Sequence, residues 1–198
     1  VHLTKAFFPP QTDAELRDNT VGELLREVAG RYPEATALVD IALDGTVGRE
    51  WNYRQLLETS ERLAGVLVSR FAPGERVVVW APNIPQWLFL EYACAFSGLV
   101  LVTANPSFQE KELRYVLEQS GAVALFLVDS FRGNAMADIA QKAIEGNGQI
   151  REVVNLEDET VLFKQGSKLA DLPGVKPTDP AQIQYTSGTT GFPKGAVL

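Results

Sequence analysis

The chain has 198 residues, 45% of them hydrophobic and 22% charged, the balance of a globular protein rather than a disordered or fibrous one. Its 18 Lys and Arg stand against 25 Asp and Glu, a net charge of −7 with no basic run, which argues against nucleic acid as a partner and makes any phosphate site a local one. One cysteine, Cys94, rules out an internal disulfide, and with one histidine, His2, it rules out a Cys/His zinc cluster; a reducing, cytoplasmic compartment is expected.

The longest mostly apolar run, 87–102, is interrupted by Glu91, Ser97 and Gly98. It falls short of the roughly 20 apolar residues that a bilayer-spanning helix needs, so no transmembrane segment is expected. The first residues show neither a signal segment nor an initiator Met, and the chain reads as an excised piece.

Helix and strand signals alternate along the chain. Thr20-Val21-Gly22-Glu23 is a capping box, followed by Leu24, Leu25, Val28, Ala29 and Tyr32 at helical spacing, with Pro33 as the stop. Residues 36–42 and 47–51 read as strands joined by the Asp44-Gly45 turn into a hairpin. Asn52, with Gln55 three residues on, caps a helix whose inner face is Tyr53, Leu56, Leu57, Leu63, Ala64, Leu67, Val68 and Phe71, ended by Pro73-Gly74.

The run Val77-Val78-Val79-Trp80 within 76–81 suits a strand covered on both faces, as parallel strands are. Asn83 is expected to open a helix that is apolar nearly all round until Gly98. Next come a strand at 99–102, a capping box Ser107-Phe108-Gln109-Glu110 leading a helix to Gly121, a strand at 122–128 and a helix over 131–144 with Met136, Ile139, Ala140 and Ala143 inward. Residues 151–180 read as irregular surface with a short strand near Val153 and another at 160–163; 181–185 is a further strand. The predicted fold is α/β, a largely parallel sheet with helices on both faces built from βα repeats, an incomplete part of a larger N-terminal domain.

The stretch from Thr186 to Gly195, Thr-Ser-Gly-Thr-Thr-Gly-Phe-Pro-Lys-Gly, carries the chemistry. Gly188, Gly191 and Gly195 allow backbone to approach a ligand closely; Thr186, Ser187, Thr189 and Thr190 offer hydroxyls to oxyanions; Lys194 supplies a mobile positive charge. Together they are a phosphate cradle. The spacing is not the nucleoside-triphosphatase loop, because Gly195 stands where the metal-binding Ser or Thr would be and Pro193 precedes the lysine. A plain alternative for any Ser/Thr/Gly cluster after a Pro-rich stretch is a solvated linker.

Position for position, these ten residues resemble the phosphate-binding signature of the adenylate-forming superfamily, in which only the place of Phe192 varies freely. Trp51-Asn52-Tyr53-Arg54-Gln55-Leu56, the segment from Gly74 through Trp80-Ala81-Pro82-Asn83 to Trp87, and Phe96-Ser97-Gly98 with Ala104-Asn105-Pro106 are similar to further elements of that superfamily; the last two favour its acyl-CoA synthetases. The resemblance implies an AMP-forming ligase whose partners are a small carboxylic (fatty) acid, ATP and coenzyme A. The acid and ATP would give acyl-adenylate and pyrophosphate, and coenzyme A would then give acyl-CoA and AMP. By the same resemblance, Thr186, Ser187, Gly188, Thr189, Thr190, Gly191 and Gly195 would bind the nucleotide phosphates, and Lys194 would act catalytically on the leaving-group charge. Mg²⁺ ligands would lie mostly elsewhere, and no metal ligand is assigned in this chain.

Residues 1–198 would be the N-terminal portion of the AMP-binding domain, ending just after the phosphate loop, with the C-terminal domain absent and the piece inactive alone. A peripheral membrane association and a homodimer stay open. Two other readings are carried alongside: an adenylation domain or luciferase-like enzyme, and a noncatalytic α/β binding module. Cys94 reads as a small buried hydrophobe, and Glu91, Asp129 and Glu157-Asp158-Glu159 as surface or helix-end carboxylates.

Overall fold

The computed structural model describes residues 9, 12, 17–42, 44–163, 172–186 and 193–198. Helix α1 (Val21–Arg31) begins at a Thr20 whose hydroxyl accepts from the Glu23 N–H while the Glu23 carboxylate accepts from the Thr20 N–H at 2.8 Å, the reciprocal capping that the sequence predicts. A two-stranded antiparallel hairpin, β1 (Thr36–Ile41) and β2 (Val47–Asn52), stands apart from the main sheet. Helix α2 (Tyr53–Val68) starts with the same kind of capping between Asn52 and Gln55.

The main sheet then builds by alternation: β3 (Arg76–Trp80), α3 (Pro85–Ser97), β4 (Val100–Thr103), α4 (Glu110–Ser120), β5 (Ala124–Leu127), α5 (Met136–Ile144), β6 (Glu152–Asn155), a turn of helix α6 (Glu159–Leu162), β7 (Gln182–Thr186) and β8 (Lys194–Val197). Its strand order is β6-β5-β3-β4-β7-β8, parallel except for the β7–β8 pair. The chain moves one way from β3 to β4 and the other way from β4 to β5 and β6. Right-handed crossovers therefore place α3 on one face, packed with α1 and α2, and α4 with α5 on the other. The α/β, largely parallel architecture with helices on both faces is the one expected.

The core follows from that layering. Val77, Val78, Val79 and Trp80 are fully buried because the strand is covered on both sides. Leu63, Leu67 and Leu90 close one face, while Leu113, Leu117 and Met136 close the other, each burial worth about 1.5–3 kcal/mol. Gly98 ends α3 at φ 67°, a left-handed cap that turns the chain into β4, and its N–H bonds back to the Cys94 carbonyl.

Several expectations are corrected. In α1 the buried residues are Gly22, Leu25 and Ala29, whereas Leu24 and Tyr32 are exposed. Helix α2 ends at Val68, before Pro73. Helix α3 opens at Pro85, not Asn83: Pro85 is already shaped for the first helical position, and Ile84 is the cap. Ser107 does not cap α4. Its N–H donates instead to Oδ1 of Asn105 at 2.9 Å, and the helix begins after Gln109, whose N–H donates to the Glu112 carboxylate.

Helix α5 begins only at Met136, because Phe131 and Asn134 bond to each other across a tight turn with Arg132 at φ 47°. Residues 160–162 are helical rather than extended, and Phe163 follows as the C-cap, since the Asp158 carboxylate accepts from the Thr160 and Val161 N–H groups. Within 151–180, β6 is a full member of the sheet, and Leu156 and Leu162 are buried. Residues 164–171 lie outside the described residues.

Candidate functional site

Strands β4 and β7 run parallel, so their C-terminal ends reach the same edge of the sheet, where open α/β sheets take ligands. A cavity at this edge has a volume of about 430 Å³. Thr103, Ala104, Asn105, Pro106 and Phe108 line it from the β4–α4 turn, and Tyr185, Thr186 and Pro193 line it from the β7–β8 hairpin.

Its two walls are held differently. The β4–α4 wall is pinned from below: the fully buried Trp80 donates its indole N–H to the Asn105 carbonyl at 2.8 Å, and that carbonyl also accepts from the Phe108 N–H at 2.9 Å. The hairpin wall is braced by α4. The Tyr115 hydroxyl donates to the Pro193 carbonyl at 3.1 Å, the Tyr185 hydroxyl donates to Oε1 of Gln119, and the two tyrosine rings meet edge to face at 6.5 Å. Burial, with the neighbouring Tyr115 adding to it, pushes the Tyr185 hydroxyl up to about 12, so it stays a neutral donor.

Of the predicted site residues, Thr186 and Lys194 are paired directly across the β7–β8 ladder and frame the base of the glycine-rich loop; Gly195 pairs with Tyr185. Thr186 is on the cavity wall. Lys194 is exposed and makes no ion pair among the described residues. Ser187, Gly188, Thr189, Thr190 and Gly191 lie outside the described residues. A hydroxyl on the cavity wall and an ammonium-bearing residue paired with it across the ladder are a donor set suited to an oxyanion such as a phosphate. No group of three or more His, Cys, Asp or Glu able to hold a metal occurs among the described residues, so no step is assigned to Mg²⁺ here.

Two of the other cavities are lined differently. The groove of about 460 Å³ beside β5 and β6 is bordered by Asp129 and Asp138, which would repel an anion. That of about 360 Å³ between β1 and α3 is lined mainly by Leu38, Ile41, Ile84, Trp87 and Leu88. Cys94 is buried, as expected, and burial followed by the Glu91 charge raises its thiol far above the ordinary range. Glu91 itself is not a surface or helix-end carboxylate: it is half-buried in the middle of α3, and burial raises it. Asp158 does have a helix-end role, as the cap of α6.

Sequence reading missed the β8 strand, the Tyr115, Tyr185 and Gln119 brace, and the part of Trp80 in holding Asn105. Only a Lys-Gly-Ala-Val run marks β8, which is too short for periodicity to register.

Comparison with known proteins agrees with this geometry. The chain is 31% identical over 218 residues to the mitochondrial medium-chain acyl-CoA ligase ACSF2 of Homo sapiens, an alignment that takes in 94% of the chain and 34% of that protein. It is 32% identical over 178 residues to triostin synthetase I of Streptomyces triostinicus, covering 88% of the chain and 32% of that protein. A solved Mycobacterium tuberculosis fatty acyl CoA synthetase superposes with a TM-score of 0.74 at 26% identity, over 90% of this chain and 34% of that one. The chain thus spans about a third of the length of the curated relatives it matches. No helix among the described residues is long and apolar enough to cross a membrane. The family described as AMP-binding enzyme matches residues 25–198, and the chain belongs to it.

Proposed function

We propose that the chain is the N-terminal portion of the AMP-binding domain of an ATP-dependent carboxylic (fatty) acid–CoA ligase, and that it supplies the phosphate-binding part of the site. The observation that carries this reading is Thr186, which lines the cavity at the ends of β4 and β7 and is paired across the β7–β8 ladder with Lys194. In the first step a carboxylate oxygen of the acid attacks the α-phosphorus of ATP, the α–β phosphoanhydride bond breaks, and pyrophosphate leaves. In the second the coenzyme A sulfur attacks the acyl carbon and AMP leaves. Charge builds on the β,γ-phosphates during the first step, so donors aimed there lower the barrier without a protein nucleophile.

Lys194 neutralises the leaving pyrophosphate in this scheme, and Thr186, with Ser187, Thr189, Thr190 and the amides of Gly188, Gly191 and Gly195, binds the phosphates. Adenine, ribose, acyl, Mg²⁺ and coenzyme A contacts then come largely from sequence other than these 198 residues. The piece alone forms no acyl-adenylate. A cytoplasmic setting goes with this reading through the lone thiol, although the human relative's name places that protein in mitochondria.

The test is acid-dependent ATP–pyrophosphate exchange by the product of the complete reading frame that contains this sequence, with a panel of fatty and aromatic acids. Exchange stimulated by one acid class and lowered about 10²-fold or more by Lys194→Ala is the expected result. No exchange with any acid, or exchange that survives Lys194→Ala unchanged, overturns the proposal. Similarity to triostin synthetase I favours a second reading, an adenylation domain. Transfer of the acyl group to a carrier-protein thiol rather than to free coenzyme A would select it.

A further inference from the structure

Lys194 stands at the start of β8. β8 pairs with β7 among the described residues. A cation that must meet a leaving group in one place cannot tolerate freedom in the strand that carries it: a misplacement of 1 Å can cost about 10²-fold in rate. Something must fix the hairpin against the rest of the domain.

The contacts that do so converge on α4. The Tyr115 hydroxyl holds the carbonyl of Pro193, and that carbonyl belongs to the peptide unit that leads into Lys194. With the proline ring fixing φ of Pro193 on one side and the hydroxyl orienting the peptide plane, the peptide unit from which Lys194 continues is held. Tyr185, one residue before Thr186, packs its ring edge-on to Tyr115 at an interplanar angle of 77° and passes its hydroxyl to Gln119, one turn further along the same helix. α4 is itself anchored, because Arg114 donates to the carbonyls of Lys142 and Glu145 at the end of α5.

We propose that Tyr115 and Tyr185 are positioning residues, a pair on α4 and β7 that places Lys194 for its task beside Thr186. This rests on the proposed function for what Lys194 does, but the placement itself is independent of it. Tyr115 acts through the Pro193 carbonyl and does not touch the reacting atoms. Tyr185 keeps the ring of Tyr115 in register with the hairpin.

Tyr115→Phe is the decisive variant, because it removes the hydroxyl and keeps the ring contact. In the complete protein it should lower kcat for exchange, or raise KM for MgATP, about tenfold, with KM for the acid unchanged. In a Lys194→Ala background the same substitution should have no further effect, whereas a general loss of folded protein would lower both backgrounds alike. Backbone amide exchange of residues 194–197, read by mass spectrometry, should be faster in Tyr115→Phe than in the parent. That readout needs no activity, so if the parent shows no pyrophosphate exchange at all, the functional reading fails while amide exchange still decides the positioning. Equal amide exchange in the two proteins overturns the proposal, as does a kinetic effect of the same size with and without Lys194.

Discussion

Tyr185 and Gly195 face each other across the β7–β8 ladder, and the tyrosine ring fills the space that a side chain at 195 would need. A Cβ there would stand 3.3 Å from Cζ of Tyr185 and 2.8 Å from Cγ2 of Ile183. The glycine that ends the Thr186–Gly195 stretch thus has a packing reason.

Gly195→Ala should therefore destabilise the protein. Ile183 is β-branched and stiff, and Tyr185 is held at both ring and hydroxyl, so neither can simply move aside. Overpacking of this kind costs about 1–3 kcal/mol, and for a protein of this size each kcal/mol lowers Tm by about 2–4 °C. A thermal melt that matches the parent would show that the hairpin shifts freely, contrary to the bracing described above.

Trp80→Phe should loosen the opposite wall. It removes the indole donor to Asn105 and leaves a void under the β4–α4 turn, together worth about 1–3 kcal/mol. Urea denaturation should show a lower midpoint with an unchanged slope. An unchanged midpoint would mean that the turn is held without the indole.

Acid sensitivity should include a contribution from Glu75. Burial pushes its carboxyl up, but the Ala72 N–H and the Arg151 guanidinium, at 2.9 and 2.7 Å, outweigh this and hold it below its ordinary value of 4.5. A group whose folded value is depressed adds stability that is present above the unfolded value and lost as pH falls through the folded one. The pair is partly exposed and screened, so about 0.2–1 kcal/mol is at stake. Denaturation midpoints measured from pH 7 down to pH 3 should fall less steeply for Glu75→Gln than for the parent; parallel curves would remove Glu75 from the account.

Cys94 should be inert in the folded protein. It is fully buried, and burial together with the Glu91 charge raises its thiol, leaving almost no thiolate to react. Iodoacetamide at pH 8 should leave the native protein unlabelled and alkylate it fully in denaturant. Rapid labelling under native conditions would contradict the burial.

What the sequence by itself determined is local. The Thr20 and Asn52 caps are bonds between residues three apart, so they can be read from a four-residue pattern, and they form as read. The βα alternation and the all-apolar run in β3 are likewise written into neighbouring residues, and the glycine-rich stretch carries its resemblance to the adenylate-forming superfamily in the order of ten consecutive residues. Local reading failed where two local outcomes competed. Ser107 could cap a helix or close a turn on Asn105, and the turn won; 160–163 could extend or coil, and the Asp158 cap chose the coil.

Tertiary structure alone decided the strand order and the brace around the candidate site. It puts β4 beside β7, brings Tyr115 to Pro193 across 78 positions and Trp80 to Asn105 across 25, and makes β8 a strand because Gly195 fits against Tyr185. No window of a few residues contains both halves of such contacts. They exist only once the crossovers have laid the helices on the sheet and its burial has set the distances between them.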